Sequence, residues 1–286
     1  MAAVRQRQSS TLIFLLTIGL ASSLGGAAGC AGSLVEFPNL ADHAPARLLG
    51  YLARPDAGLS ALLGNAADYT APYPAVVVLH GSGGISSHSE KIADRLGSWG
   101  YVALAVDSLG PRGIAGQGGG GRFVDQAFDA YAALRYLSQL DFVDPARVAV
   151  LGQSMGGAAA LYAVDHDLAA QYFKERFRAA IAYYPGCGIP ASMMTAPTLI
   201  LIGEADDWTP AERCREMVAH AGPDSAKIIL TIYPGAYHAF DVAELQSGVR
   251  SLGHWLEYNE AAARDAGEKL RAFLAGTLGA KSPDPF

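Results

Sequence analysis

The hydrophobic positions of this chain fall into short blocks separated by glycine-rich punctuation. Three blocks are nearly unbroken apolar runs: residues 75–80 read AVVVLH, 147–151 RVAVL and 198–202 TLILI. Apolar residues on consecutive positions suit strands covered on both faces of a parallel sheet. Residues 47–53, 101–106, 178–184 and 227–232 predict four more strands. Between the strands the apolar period changes. Residues 87–99 place Ile92, Leu96 and Trp99 on one helical face, and 123–140, 154–164, 211–221 and 254–274 also read as helices. Thr209-Pro210 opens the helix at 211 as a capping residue followed by a first-turn proline. Alternating strands and helices predict an α/β fold, with a mostly parallel central sheet flanked by helices on both faces. No linker divides residues 31–286, so one domain is expected there.

The first thirty residues read differently. Arg5 and Arg7 precede the apolar run TLIFLLTIGL at 11–20, and small residues follow. This order predicts a secretory signal over 1–30. Its strongly apolar core is half the ~20 residues that a spanning helix needs. Ala27-Ala28-Gly29-Cys30 resembles a bacterial lipoprotein box, in which Cys30 takes a lipid and anchors the protein to a membrane. Ala27 stands where such boxes usually carry leucine, and ordinary cleavage nearby is the alternative. An exported chain meets an oxidising compartment. Without Cys30, Cys187 and Cys214 remain as an even pair, which predicts a disulfide; two separate buried thiols are the alternative.

Composition narrows the function. Of 286 residues, 51% are hydrophobic and 17% charged, which excludes intrinsic disorder. A net charge of −6 argues against a nucleic-acid partner, which requires a basic surface. No phosphate-loop or dinucleotide fingerprint is present, so no cofactor is expected. No H-E-x-x-H or Cys/His cluster predicts a metal site.

The sharpest chemical signal is Gly152-Gln153-Ser154-Met155-Gly156, directly after strand RVAVL and opening a helix. A G-x-S-x-G pattern in that context is a nucleophile elbow, which projects the Ser154 hydroxyl above the sheet. Serine needs a base. His238, in GAYHAFD after a late strand, can reach across to the elbow, whereas His166 and His220 read as helix-end residues. The base needs an orienting carboxylate. Strand TLILI ends in Gly203-Glu204-Ala205-Asp206-Asp207; Asp206 is preferred, with Asp207 the competitor and Glu204 third. The order Ser154, Asp206, His238 is that of α/β-hydrolases. The loser of the two aspartates is expected to cap the turn or the next helix. Oxyanion donors are expected at the N–H of Met155 and at Ser82 in the HGSGG loop, with Gly83 as the alternative. Trp208 is a candidate for the pocket wall, with core packing the simpler account.

Taken together, HGSGG, DSLGPRG, GQSMG, YYPGCG, GEADDWTPAERC and GAYHAFD resemble the dienelactone hydrolase family over roughly residues 45–275. The resemblance implies a cofactor-free hydrolase of esters or lactones with Ser154, Asp206 and His238 as its triad and an oxyanion role for Ser82. The namesake enzymes use a cysteine nucleophile, carry a glutamate where this chain has Gly81, and hold a substrate carboxylate with arginines. Only Arg112, in the GPRG loop, falls near such a position; a structural ion pair or a surface role is the alternative. The expectation is therefore an exported serine hydrolase of small carboxylic esters or lactones, working through an acyl-enzyme. Its rivals are an acyltransferase or peptidase on the same triad, and a non-catalytic cell-envelope binding protein of the same fold.

Overall fold

The computed structural model describes residues 32–40, 46–55, 72–114, 122–189 and 193–279. The expected signal, with Cys30, lies outside the described residues. The main sheet has eight strands: β1 (Ser33–Pro38), β2 (Arg47–Ala53), β3 (Tyr73–Leu79), β4 (Val102–Asp107), β5 (Val143–Gln153), β6 (Ala179–Tyr183), β7 (Thr198–Gly203) and β8 (Ile228–Tyr233). Their spatial order is β1-β2-β4-β3-β5-β6-β7-β8. The six strands from β4 onward pair in parallel; β1 and β2 join antiparallel at one edge. The unbroken apolar runs are the reason for this arrangement. β4, β6 and β7 are buried along essentially their whole length, as is β3 after Tyr73. Each fully buried aliphatic side chain, such as Val77 or Leu104, contributes about 1.5–3 kcal/mol.

Among the described residues, five α-helices cover the sheet: α1 (Ser87–Ser98), α2 (Phe123–Leu137), α3 (Met155–Val164), α4 (Ala211–Ala219) and α5 (Glu260–Leu278). Neighbouring positions in β2 show that both faces are covered, because successive side chains in a strand point oppositely. Tyr51 donates to Asp94 of α1 at 2.8 Å. Position 50 instead faces Phe37, whose ring stacks on Tyr136 of α2 at 5.0 Å. α3 joins α2, whose Tyr131 hydroxyl donates to the Ala163 carbonyl at 2.8 Å.

Two expectations need correction. The helix expected at 254–274 runs instead over Glu260–Leu278, capped by the Asn259 side chain, which accepts from the Ala262 N–H at 3.0 Å. Its expected first turn is a strand, β10 (His254–Leu256), paired antiparallel with β9 (Val249–Ser251). The two-residue turn between them has φ of 51° at Leu252 and 93° at Gly253. Paired positive φ values are the signature of a tight hairpin turn. The edge strand β1 was not expected either; it alternates weakly and buries only Phe37 deeply.

Parallel strands bring their carboxyl ends to one edge, where ligands of open α/β sheets bind. The loops after β3, β5, β6, β7 and β8 all emerge there.

Candidate active site

Ser154 stands between β5 and α3 with φ 52° and ψ −116°, a conformation that costs a non-glycine residue about 1–3 kcal/mol. The surrounding glycines make that turn possible. A Cβ on Gly152 would lie 1.9 Å from the Gly156 carbonyl oxygen, and one on Gly156 would lie 2.3 Å from that of Leu79. Two backbone bonds hold the turn: the Ser154 N–H donates to Tyr183 at 2.9 Å, and the Ala158 N–H donates to Ser154 at 3.0 Å.

His238 comes from the loop after β8. Its Nε2 is 2.9 Å from Ser154 Oγ and its Nδ1 is 2.8 Å from Asp206 Oδ2. The His238 and Asp206 side chains are 3% and 0% exposed, so water does not compete for the bond between them. Asp206 accepts three further hydrogen bonds' worth of contacts. The N–H groups of Trp208 and Thr209 donate to Oδ1 at 3.0 and 2.8 Å, and the Thr209 hydroxyl is 2.9 Å from Oδ2. This fixes the carboxylate toward His238. Thr209 therefore serves the acid and not the helix; Pro210 occupies the helix cap.

Asp207 points elsewhere. Its Oδ1 accepts from the Trp255 N–H at 3.3 Å and lies 3.4 Å from His254 Nδ1, which ties the β9–β10 hairpin to the loop. It was expected to cap the turn or the next helix; Asp206 caps the turn instead, and Pro210 stands at the helix cap. Cys187 and Cys214 are joined in a disulfide that links the segment after β6 to α4, on either side of the Asp206 loop.

The HGSGG loop lies beside Ser154: a Cβ on Gly81 would be 3.5 Å from the Ser154 Cβ. Ser82 and Gly83 both line the cavity next to Ser154. Met155 is the first residue of α3, where backbone N–H groups have no partner within the helix. Buried His80 braces this loop. Its Nδ1 is 2.6 Å from the Gly81 carbonyl oxygen, and its Nε2 accepts from the Ser108 N–H at 3.2 Å. Burial holds the His80 pKa below the usual histidine range, so the ring is neutral with its proton on Nδ1.

Arg112 is not among the residues lining the cavity. Its guanidinium makes a two-pronged pair with Asp129 at 2.7 and 2.9 Å and donates to the Ser108 carbonyl at 2.6 Å. The Asp129 side chain is fully buried, so the arginine is held as its counter-ion and not as a substrate ligand. Trp208 also departs from the simpler expectation. It lines the cavity, between the His238 ring at 5.1 Å and the His254 ring at 4.9 Å.

The cavity has a volume of about 560 Å³. Its lining includes apolar residues, Trp208, Val242, Leu245, Leu252 and Leu256, and polar ones, Ser86, His88, Ser89 and Gln153. A second polar cluster, missed in the sequence, involves two of the polar lining residues. Gln153 Nε2 is 2.7 Å from His88 Nε2 and 3.2 Å from Asp241 Oδ2, and the Tyr184 hydroxyl donates to Asp241 Oδ1 at 2.8 Å. Burial, then the adjacent Asp241 charge, raises the Tyr184 pKa well above the phenolic range. Among the described residues, no group of three or more His, Cys, Asp or Glu side chains is placed to hold a metal ion.

Comparison with known proteins gives a family. The dienelactone hydrolase family matches residues 59–278. An uncharacterized protein of Mycobacterium tuberculosis is 32% identical over 183 residues, 58% of this chain and 63% of that protein. The match thus spans just under two thirds of that relative's length. A Bradyrhizobium protein named as a probable 2-oxo-3-(5-oxofuran-2-ylidene)propanoate lactonase is 29% identical over 216 residues, 67% of this chain and 78% of that protein. A solved esterase from the planctomycete Thermogutta terrifontis, with propionate bound, superposes with a TM-score of 0.64 at 20% identity, over 89% of this chain and 97% of that one.

Proposed function

The chain belongs to the dienelactone hydrolase family of α/β-hydrolases, and from that premise we propose that it is a serine hydrolase of carboxylic esters or lactones. The observation that carries this reading is the hydrogen-bonded chain Ser154–His238–Asp206 at the end of a cavity. Ser154 Oγ attacks the ester carbonyl carbon while His238 Nε2 takes its proton. Negative charge develops on the carbonyl oxygen, and the N–H groups of Ser82 and Met155 hold it; one such donor contributes about 10²–10³ in rate. His238 returns the proton to the departing alcohol, leaving an acyl-serine. Water, deprotonated by His238, then attacks the acyl carbon; the acyl–Oγ bond breaks, His238 returns that proton to Ser154 Oγ, and the acid is released. Asp206 keeps the Nδ1 proton in place and stabilises the imidazolium of each transition state.

The test is hydrolysis of p-nitrophenyl acetate and butyrate by the full-length protein beside Ser154→Ala, with labelling by a fluorophosphonate. Turnover and labelling that disappear together in the variant support the reading. Equal rates in both proteins, or no turnover and no labelling, overturn it.

Export is part of the same proposal. It is supported by the signal-like residues 1–30 and by the Cys187–Cys214 bond, since disulfides persist in oxidising compartments. Cell fractionation with intact-mass measurement of the mature protein tests it, and the mass separates a lipidated Cys30 from ordinary cleavage. An uncleaved chain in the cytosol would overturn it.

A further inference from the structure

The cavity beside Ser154 differs from a carboxylate-binding site in the charge of its walls. Among the described residues, none that lines it is an arginine or lysine. The cations nearby are engaged with other groups. Arg112 is paired with buried Asp129. Lys91, on the exposed side of α1, is paired with Glu244. Arg250, on the hairpin, donates to the Gly253 carbonyl at 3.1 Å and lies over the Trp255 ring at 5.8 Å. Arg95 is not among the residues lining this cavity; it lines a separate small pocket together with His88 and Asp241. The internal segments outside the described residues, 41–45, 56–71, 115–121 and 190–192, contain no arginine or lysine at all.

The fixed charges close to the cavity are instead carboxylates. Asp206 stands behind His238, and Asp241 stands behind Gln153 and His88. His88 is the one ionisable base on the wall apart from His238, and Asp241 already lies 3.2 Å from its Nε2. A carboxylate on the substrate would lose part of its water against Val242, Leu245 and Leu256, with no arginine or lysine among the described lining residues to meet it. Beside Gln153 and His88 it would approach Asp241, whose Oδ2 lies 3.2 Å from Gln153 Nε2 and from His88 Nε2. Both placements are costly for an anion, and neither penalises a neutral group.

We propose that this site selects uncharged esters and excludes substrates with a second, ionised carboxylate. The proposal rests on the hydrolase reading above. It names the substrate class of that site: a neutral ester with an apolar group for the Trp208–Leu252–Leu256 wall and room for a hydrogen-bonding group beside Ser86, His88 and Gln153.

The test compares two esters of equal acyl length, ethyl butyrate and the monoethyl ester of succinic acid. Proton release is followed at pH 8 with the full-length protein. The kcat/KM ratio is expected to favour butyrate by about 100-fold, the scale set by an unpaired charge in a desolvated site. Leu252 lines the cavity at an exposed hairpin tip, 67% accessible, so Leu252→Arg can supply the missing cation. That variant is expected to reduce the ratio about tenfold. Equal turnover of the two esters, or preference for the succinate, would overturn the proposal and leave the hydrolase reading standing. A ratio unmoved by the added arginine would also overturn it, because charge would then not be what the site reads. Turnover of neither ester, with no fluorophosphonate labelling, would overturn the hydrolase reading and this inference with it.

Discussion

His238–Asp206 and His88–Asp241 are the same chemical pair in two settings around one cavity. The first is sealed, with side chains 3% and 0% exposed and a 2.8 Å contact. The second is looser, 18% and 13% exposed and 3.2 Å apart. The larger difference is what each imidazole addresses. His238 Nε2 meets the hydroxyl of a serine held at positive φ, whereas His88 Nε2 meets the side-chain amide of Gln153. An amide nitrogen cannot serve as a nucleophile, so the second pair can bind and orient but cannot begin acyl transfer. A histidine–carboxylate pair is thus insufficient to mark a catalytic centre; the elbow that presents the Ser154 hydroxyl separates the two.

The most severe way to test that contrast is to remove the proposed nucleophile. Ser154→Ala is expected to lower kcat/KM for p-nitrophenyl butyrate by about 10⁴-fold or more, with the circular dichroism spectrum unchanged. The next test sets the two acids against each other. Asp206→Asn should lower kcat by about 10³–10⁴-fold, because Nδ1 loses the acceptor that fixes its tautomer. Asp241→Asn should change kcat/KM by about fivefold or less, the worth of one hydrogen bond. Equal losses in the two variants would show that the pairs act as one unit.

The bracing of the two pairs also differs. The Cys187–Cys214 disulfide, 27 residues apart in sequence, spans the Asp206 loop. The second pair is flanked by the surface ion pair of Lys91 with Glu244. Cys187→Ser/Cys214→Ser is expected to cost about 3 kcal/mol in chemical denaturation. Lys91→Ala should leave the denaturation midpoint essentially unchanged, because the pair is exposed to solvent.

The central sheet and the elbow were legible because their requirements are local. Unbroken apolar runs have no stable place except between two covered faces. Gly152 and Gly156 are demanded by backbone contacts within a few residues of Ser154 or from the neighbouring strand. What was hidden depends on partners distant in sequence. Asp206 and Asp207 are adjacent, and their separate destinies are decided by His238 and by the hairpin, respectively. Arg112 could not be assigned without Asp129, which α2 brings alongside it. The hairpin escaped notice because β9 and β10 have three residues each and their turn puts a leucine at positive φ, where sequence patterns expect glycine or asparagine. His88 and Gln153 lie 65 residues apart, and nothing local joins them.

A third imidazole gives the smallest expected effect, one of stability alone. His80 is 1% exposed and neutral, and its Nε2 must remain unprotonated to accept from the Ser108 N–H. Its folded pKa is depressed by burial below the 6.5 of the unfolded chain. The unfolded state therefore binds more protons in the window beneath 6.5, and stability falls as pH drops into it. The contribution is fully present above pH 6.5 and diminishes toward the lower folded value. The Tm should accordingly fall by a few degrees between pH 8 and pH 5.5, and His80→Gln, whose amide does not titrate, should flatten that slope. A slope that persists unchanged in His80→Gln would show that another group carries it.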